Sequence, residues 1–70
     1  MVNVMRLRGV IAERGMSINK LSNATGINTN TLYSKFYSKK FGCDDAVLIS
    51  KALELSDEQV LDIFFSLKDT

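Results

Sequence analysis

The sequence contains no proline, no histidine and only one cysteine, Cys43. A lone cysteine cannot form an internal disulfide bond, and without histidine its thiol has no imidazole base to activate it. A glycine-rich phosphate-binding loop is also absent. These absences make an enzyme the least favoured class of function, and nothing in the sequence suggests a cofactor or a metal site.

The chain also lacks a long apolar run. Its longest aliphatic stretch covers only residues 46–49, whereas a helix needs about 20 apolar residues to cross a membrane. The pattern of a secretory signal is missing as well. We therefore expect a cytoplasmic protein without a membrane partner. Its 70 residues, 46% of them apolar and 24% charged, are typical of one small globular domain over residues 1–70.

The charges are divided unevenly along the chain. Residues 1–40 carry seven basic side chains and one acid, Glu13, for a net charge of +6, whereas residues 41–70 carry two basic and seven acidic side chains, for a net charge of −5. A small domain polarised in this way is expected to present a basic face to an anionic partner, most commonly nucleic acid. A chance clustering of solvated lysines is the alternative interpretation.

With no proline to interrupt it, the apolar spacing is helical throughout, which predicts an all-α domain. The first helix is predicted over residues 3–14, with Leu7, Val10 and Ile11 on one face and Gly15 as a left-handed stop. Gly9 lies within this helix. Because glycine lowers helix stability, we interpret Gly9 as a packing position where another helix approaches closely.

Two short helices with a glycine between them follow. Ser17 is the predicted N-cap of a helix over residues 18–25, and Asn28 is the predicted N-cap of a third helix that ends near residue 36 or 37. Gly26 ends the first of the pair. This arrangement is the helix-turn-helix pattern.

Two further helices are predicted after a basic loop at residues 38–42. The fourth covers residues 43–55 and turns Ala46, Ile49 and Leu53 inward. The fifth begins at a capping box formed by Ser56 and Gln59. Acid pairs open both helices, and the positive end of the helix dipole explains them better than a metal or acid–base cluster does.

The second and third helices, by contrast, begin without acids. Lys20 stands where a capping box would place glutamate or glutamine, and the third helix opens with Thr29 and Asn30. An acid at these positions would repel a phosphate brought to the helix ends, so the pattern favours an external anion. Acid-free helix starts are common, and the alternative is that they have no functional meaning.

The third helix has an outer arc of uncharged polar side chains. At about 100° per residue, Leu32 and Phe36 face the core. The opposite arc carries Thr29, Asn30, Tyr33, Ser34 and Tyr37. Side chains of these types donate and accept hydrogen bonds at base edges in the major groove of DNA. An ordinary polar face toward solvent is the alternative.

Residues 17–36, SINKLSNATGINTNTLYSKF, resemble the helix-turn-helix of the phage Cro/repressor family. Residues 7–17 are similar to the first helix of that family and residues 49–53 to its fourth helix, so the resemblance covers nearly the whole chain. It implies a five-helix, lambda-repressor-like helix-turn-helix domain. The ending Phe64-Phe65 is most like short Cro-like proteins of prophages, which implies a bacterial host cell.

The resemblance also implies roles for individual residues on double-stranded DNA. Contacts with bases in the major groove are expected from Asn28, Thr29, Asn30, Tyr33 and Ser34. Contacts with phosphates are expected from Asn19, Lys20, Lys35, Tyr37, Lys39 and Lys40. One departure from the family is Ile18, which stands where many members have a phosphate-binding glutamine, and another is Ser22 in place of alanine.

The predicted function is that of a sequence-specific, non-catalytic DNA-binding regulator that represses by occupying an operator. The alternative is a helix-turn-helix module that binds another phage regulator and alters the DNA affinity of that protein. Ile18 and the modest total charge of +1 leave this alternative open.

The fifth helix has an apolar arc of roughly 200°, about twice the width that a surface helix needs to cover its own core. The arc comprises Val60, Leu61, Ile63, Phe64, Phe65 and Leu67. We predict that Leu61, Phe64 and Phe65 pack against the same surface of a second copy, which gives a homodimer. Alternatively, Leu48 and the fourth helix cover the arc and dimers form only on DNA.

Overall fold

The computed structural model describes residues 2–65, which form five α-helices and a closing π-helical segment. The helices are α1 (Val4–Glu13), α2 (Ile18–Thr25), α3 (Thr29–Ser38), α4 (Cys43–Leu53) and α5 (Asp57–Val60). Leu61 keeps helical backbone angles, so the chain passes directly from α5 into the π-helical segment, Leu61–Phe65. No strand occurs in these residues. The prediction of an all-α fold with five helices is therefore confirmed.

The predicted helix caps are confirmed. The side chains of Ser17, Asn28 and Ser56 accept hydrogen bonds from backbone N–H groups of the first turns of α2, α3 and α5. Gly15 and Gly26 have positive φ angles of 69° and 79° at the ends of α1 and α2. Local hydrogen bonding by short polar side chains thus decides where these helices begin and end.

The core forms where the apolar faces of the helices meet. As predicted, Leu7, Val10 and Ile11 of α1 and Leu32 and Phe36 of α3 are buried. The full set of buried apolar side chains is Val2, Leu7, Val10, Ile11, Leu21, Leu32, Phe36, Ile49, Leu53, Ile63 and Phe64. Helices α1 to α4 and the π-helical segment therefore all contribute buried side chains to the core, whereas the single turn of α5 contributes only the partly buried Val60.

The interpretation of Gly9 as a close-packing position is wrong. Gly9 is exposed, and a Cβ atom built on it would have no atom of another element within 4 Å. The helix turns Leu7, Val10 and Ile11 inward, so Gly9 lies on the solvent side. The glycine therefore lowers the stability of the helix and gains no packing contact within residues 2–65.

The fourth helix ends earlier than predicted, at Leu53 instead of residue 55. Glu54 adopts a left-handed conformation with φ 53° and closes the helix. The Arg14 side chain, at the end of α1, donates a hydrogen bond from Nε to the carbonyl of Leu53 at 2.8 Å. A cation from a distant helix thus satisfies a carbonyl at the negative end of the α4 dipole.

The π-helical segment is joined to the start of α1. The N–H of Asn3 donates to the carbonyl of Ile63 at 2.7 Å, and Arg6 forms an ion pair with Asp62 at 3.1 Å. The side chains of Ile63 and Phe64 complete the core from this segment. Leu67, which the sequence places on the same apolar arc, lies outside the described residues.

Candidate DNA-binding surface

The turn between α2 and α3 fixes the angle at which α3 leaves the domain. Gly26 supplies the left-handed residue. The Ser22 hydroxyl donates to the carbonyl of Ile27 across the turn. The Thr25 hydroxyl donates to the carbonyl of Leu21 at 2.8 Å and accepts from the N–H of Ile27 at 3.2 Å. Two side chains of α2 therefore hold both polar backbone groups of Ile27.

Sequence reasoning missed the roles of Ser22 and Thr25. Thr25 is a buried polar residue with its hydroxyl paired in both directions. The available signal was the presence of two hydroxyls on the last turn of a short helix just before a glycine, because Ser and Thr there can bond to backbone groups of the following turn. Members of the family that the sequence resembles usually have alanine at the position of Ser22. Here the serine hydroxyl holds the turn through its hydrogen bond to the Ile27 carbonyl.

The helix α3 presents the predicted polar face. Leu32 and Phe36 anchor it in the core, while Tyr33 is 53% and Tyr37 92% exposed. Asn28, at the N-cap, has its side chain oxygen bonded to the N–H of Asn30 at 2.8 Å. Of the five residues predicted to contact bases, Thr29 is half-buried, and the other four are exposed: Asn28, Asn30, Tyr33 and Ser34. The structure thus brings all five to the N-terminal two turns of one helix.

The basic side chains of residues 1–40 fall into two groups. Four of them are engaged within the domain. Arg6 pairs with Asp62, Arg8 lies 5.3 Å from the centre of the Phe36 ring, Arg14 caps α4, and Lys35 pairs with Asp45. Lys20, Lys39 and Lys40 are exposed and form no ion pair within residues 2–65. Among the basic side chains of residues 1–40, these three have no side-chain partner observed in residues 2–65 and are available to an external anion.

Two of these lysines lie in the loop between α3 and α4. Lys39 has a left-handed φ of 61° and closes α3, and the N–H of Lys40 donates to the carbonyl of Lys35 at 3.3 Å. The Phe41 ring packs edge-on between the rings of Phe36 and Phe64, with centroids 5.5 and 6.1 Å apart. This aromatic contact fastens the loop to the core. Because α3 extends to Ser38, the basic loop predicted over residues 38–42 is shorter, and we use this name for residues 39–42.

A surface depression of about 460 Å³ lies under the basic loop. It is lined by Val2, Lys35, Lys39, Lys40, Phe41, Gly42 and Phe64. Its rim is therefore cationic and its floor apolar.

The third candidate position is the start of α2. Asn19 and Lys20 are both exposed there, and the N–H of Lys20 donates to the Ser17 hydroxyl at 3.2 Å. The half-buried Ile18 packs against the core instead of facing outward. At this helix end, an anion would meet the amide side chain of Asn19 and the ammonium of Lys20.

One carboxylate lies near these lysines. Asp45 Oδ2 is 2.8 Å from the Lys35 ammonium and also accepts the N–H of Gly42 at 2.9 Å. The hydrogen bond from Lys35 lowers the pKa of the Asp45 carboxyl below its ordinary value of 3.8. Burial acts in the opposite direction, and the Gly42 N–H adds a further lowering effect. Asp45 is therefore ionised at neutral pH. From the sequence, Asp45 is one of the acids that open the fourth helix and is explained by the helix dipole alone, so this contact was not predicted.

The residues predicted to form a dimer interface do not all lie at the surface. Phe64 is only 7% exposed and contacts Phe41, whereas Leu61 and Phe65 are each about half exposed. Exposed Val47 on α4 and Phe65 line one groove of about 480 Å³ between α4 and the C-terminal segment. Within residues 2–65, the exposed apolar surface is thus smaller than the arc predicted from the sequence for the fifth helix, and it extends onto α4.

The described residues offer neither a metal centre nor a transmembrane element. In residues 2–65, no cluster of three or more His, Cys, Asp or Glu side chains is placed to hold a metal ion. No helix within that range combines the length and the apolar character needed to cross a bilayer.

The fold and the exposed face of α3 define a helix-turn-helix protein. A family model described as the Cro/C1-type HTH DNA-binding domain matches residues 6–64, which is most of the chain. The chain belongs to this family, and DNA is its partner. Such domains are typically non-enzymatic. No curated protein and no solved structure is a significant match to the chain.

Proposed function

We propose that this protein is a Cro-like transcriptional repressor of a prophage that acts by occupying an operator in the major groove. The observation that carries the proposal is the outer face of α3, which is polar, exposed and without an acid. A helix with such a face fits the major groove and offers hydrogen bonds to base edges without repelling the phosphates. Occupancy of the operator would exclude the polymerase or a competing repressor.

Base readout is assigned to Asn28, Thr29, Asn30, Tyr33 and Ser34, and phosphate contacts to Asn19, Lys20, Tyr37, Lys39 and Lys40. Lys35, which the family resemblance also places in the phosphate set, is left out because its ammonium is paired with Asp45. The first set is grouped on the first two turns of α3, and the lysines of the second set have no internal ion pair in residues 2–65. Phosphate contacts position a protein on DNA, whereas contacts with base edges select the sequence. The two sets should therefore fail in different ways when they are mutated.

Selection of bound sequences from random duplexes supplies the operator, and two variants then test the assignment. Asn30→Ala should weaken binding to the selected site by roughly 1–3 kcal/mol and nearly spare binding to random DNA. Lys39→Ala combined with Lys40→Ala should weaken binding to all duplexes by a similar factor and flatten the dependence on salt. Asn23→Ala, an exposed asparagine of α2 outside the proposed set, is the matched control and should bind like the parent protein. A parental ratio of specific to random binding in Asn30→Ala would remove that residue from the reading face.

The second candidate function is a modulator that binds another phage regulator. The engagement of four of the seven basic side chains within the domain favours it, as does Ile18 at a position where the family resemblance expects a phosphate-binding glutamine. A salt titration separates the two functions, since affinity that depends on phosphates falls steeply as salt rises. Absence of salt-dependent binding to any duplex would favour the modulator.

The proposed repressor is a homodimer whose contact surface includes Leu61 and Phe65 of the π-helical segment. Support comes from the half exposure of both side chains beside exposed Val47 of α4. Two recognition helices about one DNA turn, roughly 34 Å, apart would read a palindromic site.

A further inference from the structure

Lys35 and Asp45 join the recognition helix to the helix that follows the basic loop. Lys35 lies in the last turn of α3 and Asp45 in the first turn of α4. Their Nζ and Oδ2 atoms are 2.8 Å apart, and the side chains are only 28% and 17% exposed. The pair is therefore partly shielded from water, unlike a surface ion pair, which contributes little.

The same carboxylate oxygen also holds the far end of the basic loop. Asp45 Oδ2 accepts the N–H of Gly42 at 2.9 Å while it binds the Lys35 ammonium. One atom thus connects the end of α3 to the last residue of the loop. Other connections of the loop include the hydrogen bonds from the Lys39 and Lys40 N–H groups to the Lys35 carbonyl, the bond from the Ala46 N–H to the Gly42 carbonyl at 3.0 Å, and the packing of Phe41.

The charges explain why Lys35 differs from the neighbouring lysines. To reach a DNA phosphate, the Lys35 ammonium would have to exchange one anion for another and leave the Asp45 carboxylate unpaired beside the negative DNA backbone. Lys39 and Lys40 have no ion pair in the described part of the chain, so a phosphate contact costs them no such exchange. An unpaired, half-buried carboxylate next to DNA is unfavourable both by desolvation and by repulsion.

We infer that Lys35 and Asp45 are positioning residues for DNA binding, which together hold the basic loop so that Lys39 and Lys40 meet the phosphates, and that Lys35 itself contacts no phosphate. This inference rests on the proposed function, because it names how the phosphate-binding loop of that surface is kept in place. It withdraws Lys35 from the phosphate-contacting set expected from the family resemblance.

A double-mutant cycle on DNA tests the inference. Asp45→Ala, Lys35→Ala and the double variant are compared with the parent protein on the selected operator and on random duplex over a range of salt concentrations. Each single substitution should weaken binding to both duplexes by the same factor, roughly three- to tenfold, as expected for coupled side chains of one network. The DNA affinity of the double variant should be no lower than that of the single variant with the lower affinity. Lys20→Ala, which removes an unpaired lysine, is the control for a true phosphate contact and should lower the salt slope by about 0.9.

The opposite outcomes are distinct. If Lys35 contacts phosphate, Asp45→Ala releases it, so binding becomes tighter or the salt slope steeper, and Lys35→Ala then lowers affinity further in the Asp45→Ala background. Additive losses from the two single substitutions, or parental binding by Asp45→Ala, also overturn the inference. Asp45→Asn serves if Asp45→Ala does not fold. It keeps an oxygen for the Gly42 N–H but loses the charge that Lys35 needs, and its affinity should lie between those of the parent and of Lys35→Ala.

Amide hydrogen exchange in the free protein gives a readout that does not depend on DNA. Asp45→Ala should accelerate exchange at the N–H groups of Lys40 and Gly42 and leave that of Leu21, in α2, unchanged. Unchanged exchange in the basic loop overturns the inference even if DNA affinity falls. If the parent protein binds no duplex, the proposed function fails, whereas the exchange data still decide whether the pair holds the loop.

Discussion

At the scale of single residues, Gly9 is a position where the protein is less stable than its fold allows. The residue is exposed in the middle of α1, and a Cβ atom there meets nothing within 4 Å. Gly9→Ala should therefore raise the free energy of unfolding by about 0.5–1 kcal/mol, because alanine restricts the unfolded chain and favours the helix. Urea denaturation measures the change. A loss of stability on substitution would contradict this interpretation of Gly9.

Thr25 is the residue on which the helix-turn-helix angle depends most directly. Thr25→Val keeps the shape of the side chain but removes the acceptor for the Ile27 N–H and the donor to the Leu21 carbonyl. We expect a loss of about 1–3 kcal/mol in the free energy of unfolding, because the partly buried Ile27 N–H is left without its acceptor. Thr31→Val, an exposed threonine of α3, is the matched control and should change stability by less than about 0.5 kcal/mol. Equal effects of the two substitutions would contradict the role of Thr25.

At this scale the sequence predicts burial better than it predicts polar partners. Leu32 and Phe36 are buried because their spacing matches one helix face, and that spacing is visible in the sequence. The contact of Lys35 with Asp45 depends on the path of the loop between them. Two residues ten positions apart in sequence can lie at many distances in space. Charge and spacing alone therefore could not show that Lys35 is paired, and it was predicted to contact phosphate.

At the scale of helices, local and distant signals decide different boundaries. The starts of α2, α3 and α5 follow from Ser17, Asn28 and Ser56, which bond to backbone groups two or three residues away. The end of α4 combines the left-handed Glu54 with a hydrogen bond to the Leu53 carbonyl from Arg14, which lies 39 residues earlier in the chain. The first kind of boundary can be read from sequence, whereas the second requires the packed structure.

The junction of α3 and α4 should respond to acid. Because Lys35 and Gly42 lower the pKa of Asp45 in the folded protein, the ionised carboxylate stabilises the fold at neutral pH. This contribution is complete above the unfolded-state pKa, near 3.8–3.9, and is lost as pH falls through that value and the lower folded one. The difference in stability between the parent protein and Asp45→Asn should therefore shrink as pH is lowered from 6 to about 3.

Thermal or urea denaturation at several pH values measures that difference. Asp44→Asn, at a neighbouring exposed acid of the same helix turn for which no ion pair is observed in residues 2–65, is the control. A gap between parent and Asp45→Asn that stays constant with pH would show that the Lys35 contact does not stabilise the fold.

At the scale of the whole molecule, the uneven distribution of charge overstates the surface available to an anion. Residues 1–40 carry a net charge of +6, but ion pairs such as that of Arg6 with Asp62 neutralise part of this charge with acids of residues 41–70. The lysines at 20, 39 and 40 are left at the start of α2 and in the basic loop. The charge distribution along the sequence therefore indicates the kind of partner, and the fold shows which of the basic side chains remain exposed and unpaired in residues 2–65.

The assembly of two copies is tested by the exposed apolar residues. Phe65→Asp should convert a dimer into a monomer at tens of micromolar protein, because a charge would be buried in the contact. Met5→Asp, at a more exposed apolar residue on α1, is the matched control and should leave the dimer intact. Sedimentation equilibrium distinguishes the two states. A parent protein that is monomeric at every concentration, or a Phe65→Asp variant that still dimerises, contradicts the predicted interface.

The bond between the Asn3 N–H and the Ile63 carbonyl sets when the domain is able to form during synthesis. The two helices of the helix-turn-helix leave the ribosome before Ile63 and Phe64, yet these two side chains complete the core against which those helices pack. Because a small domain folds as one unit, a nascent chain that ends at α4 cannot hold a finished helix-turn-helix. Translation must therefore pass residue 64 before any copy of the protein is able to recognise DNA.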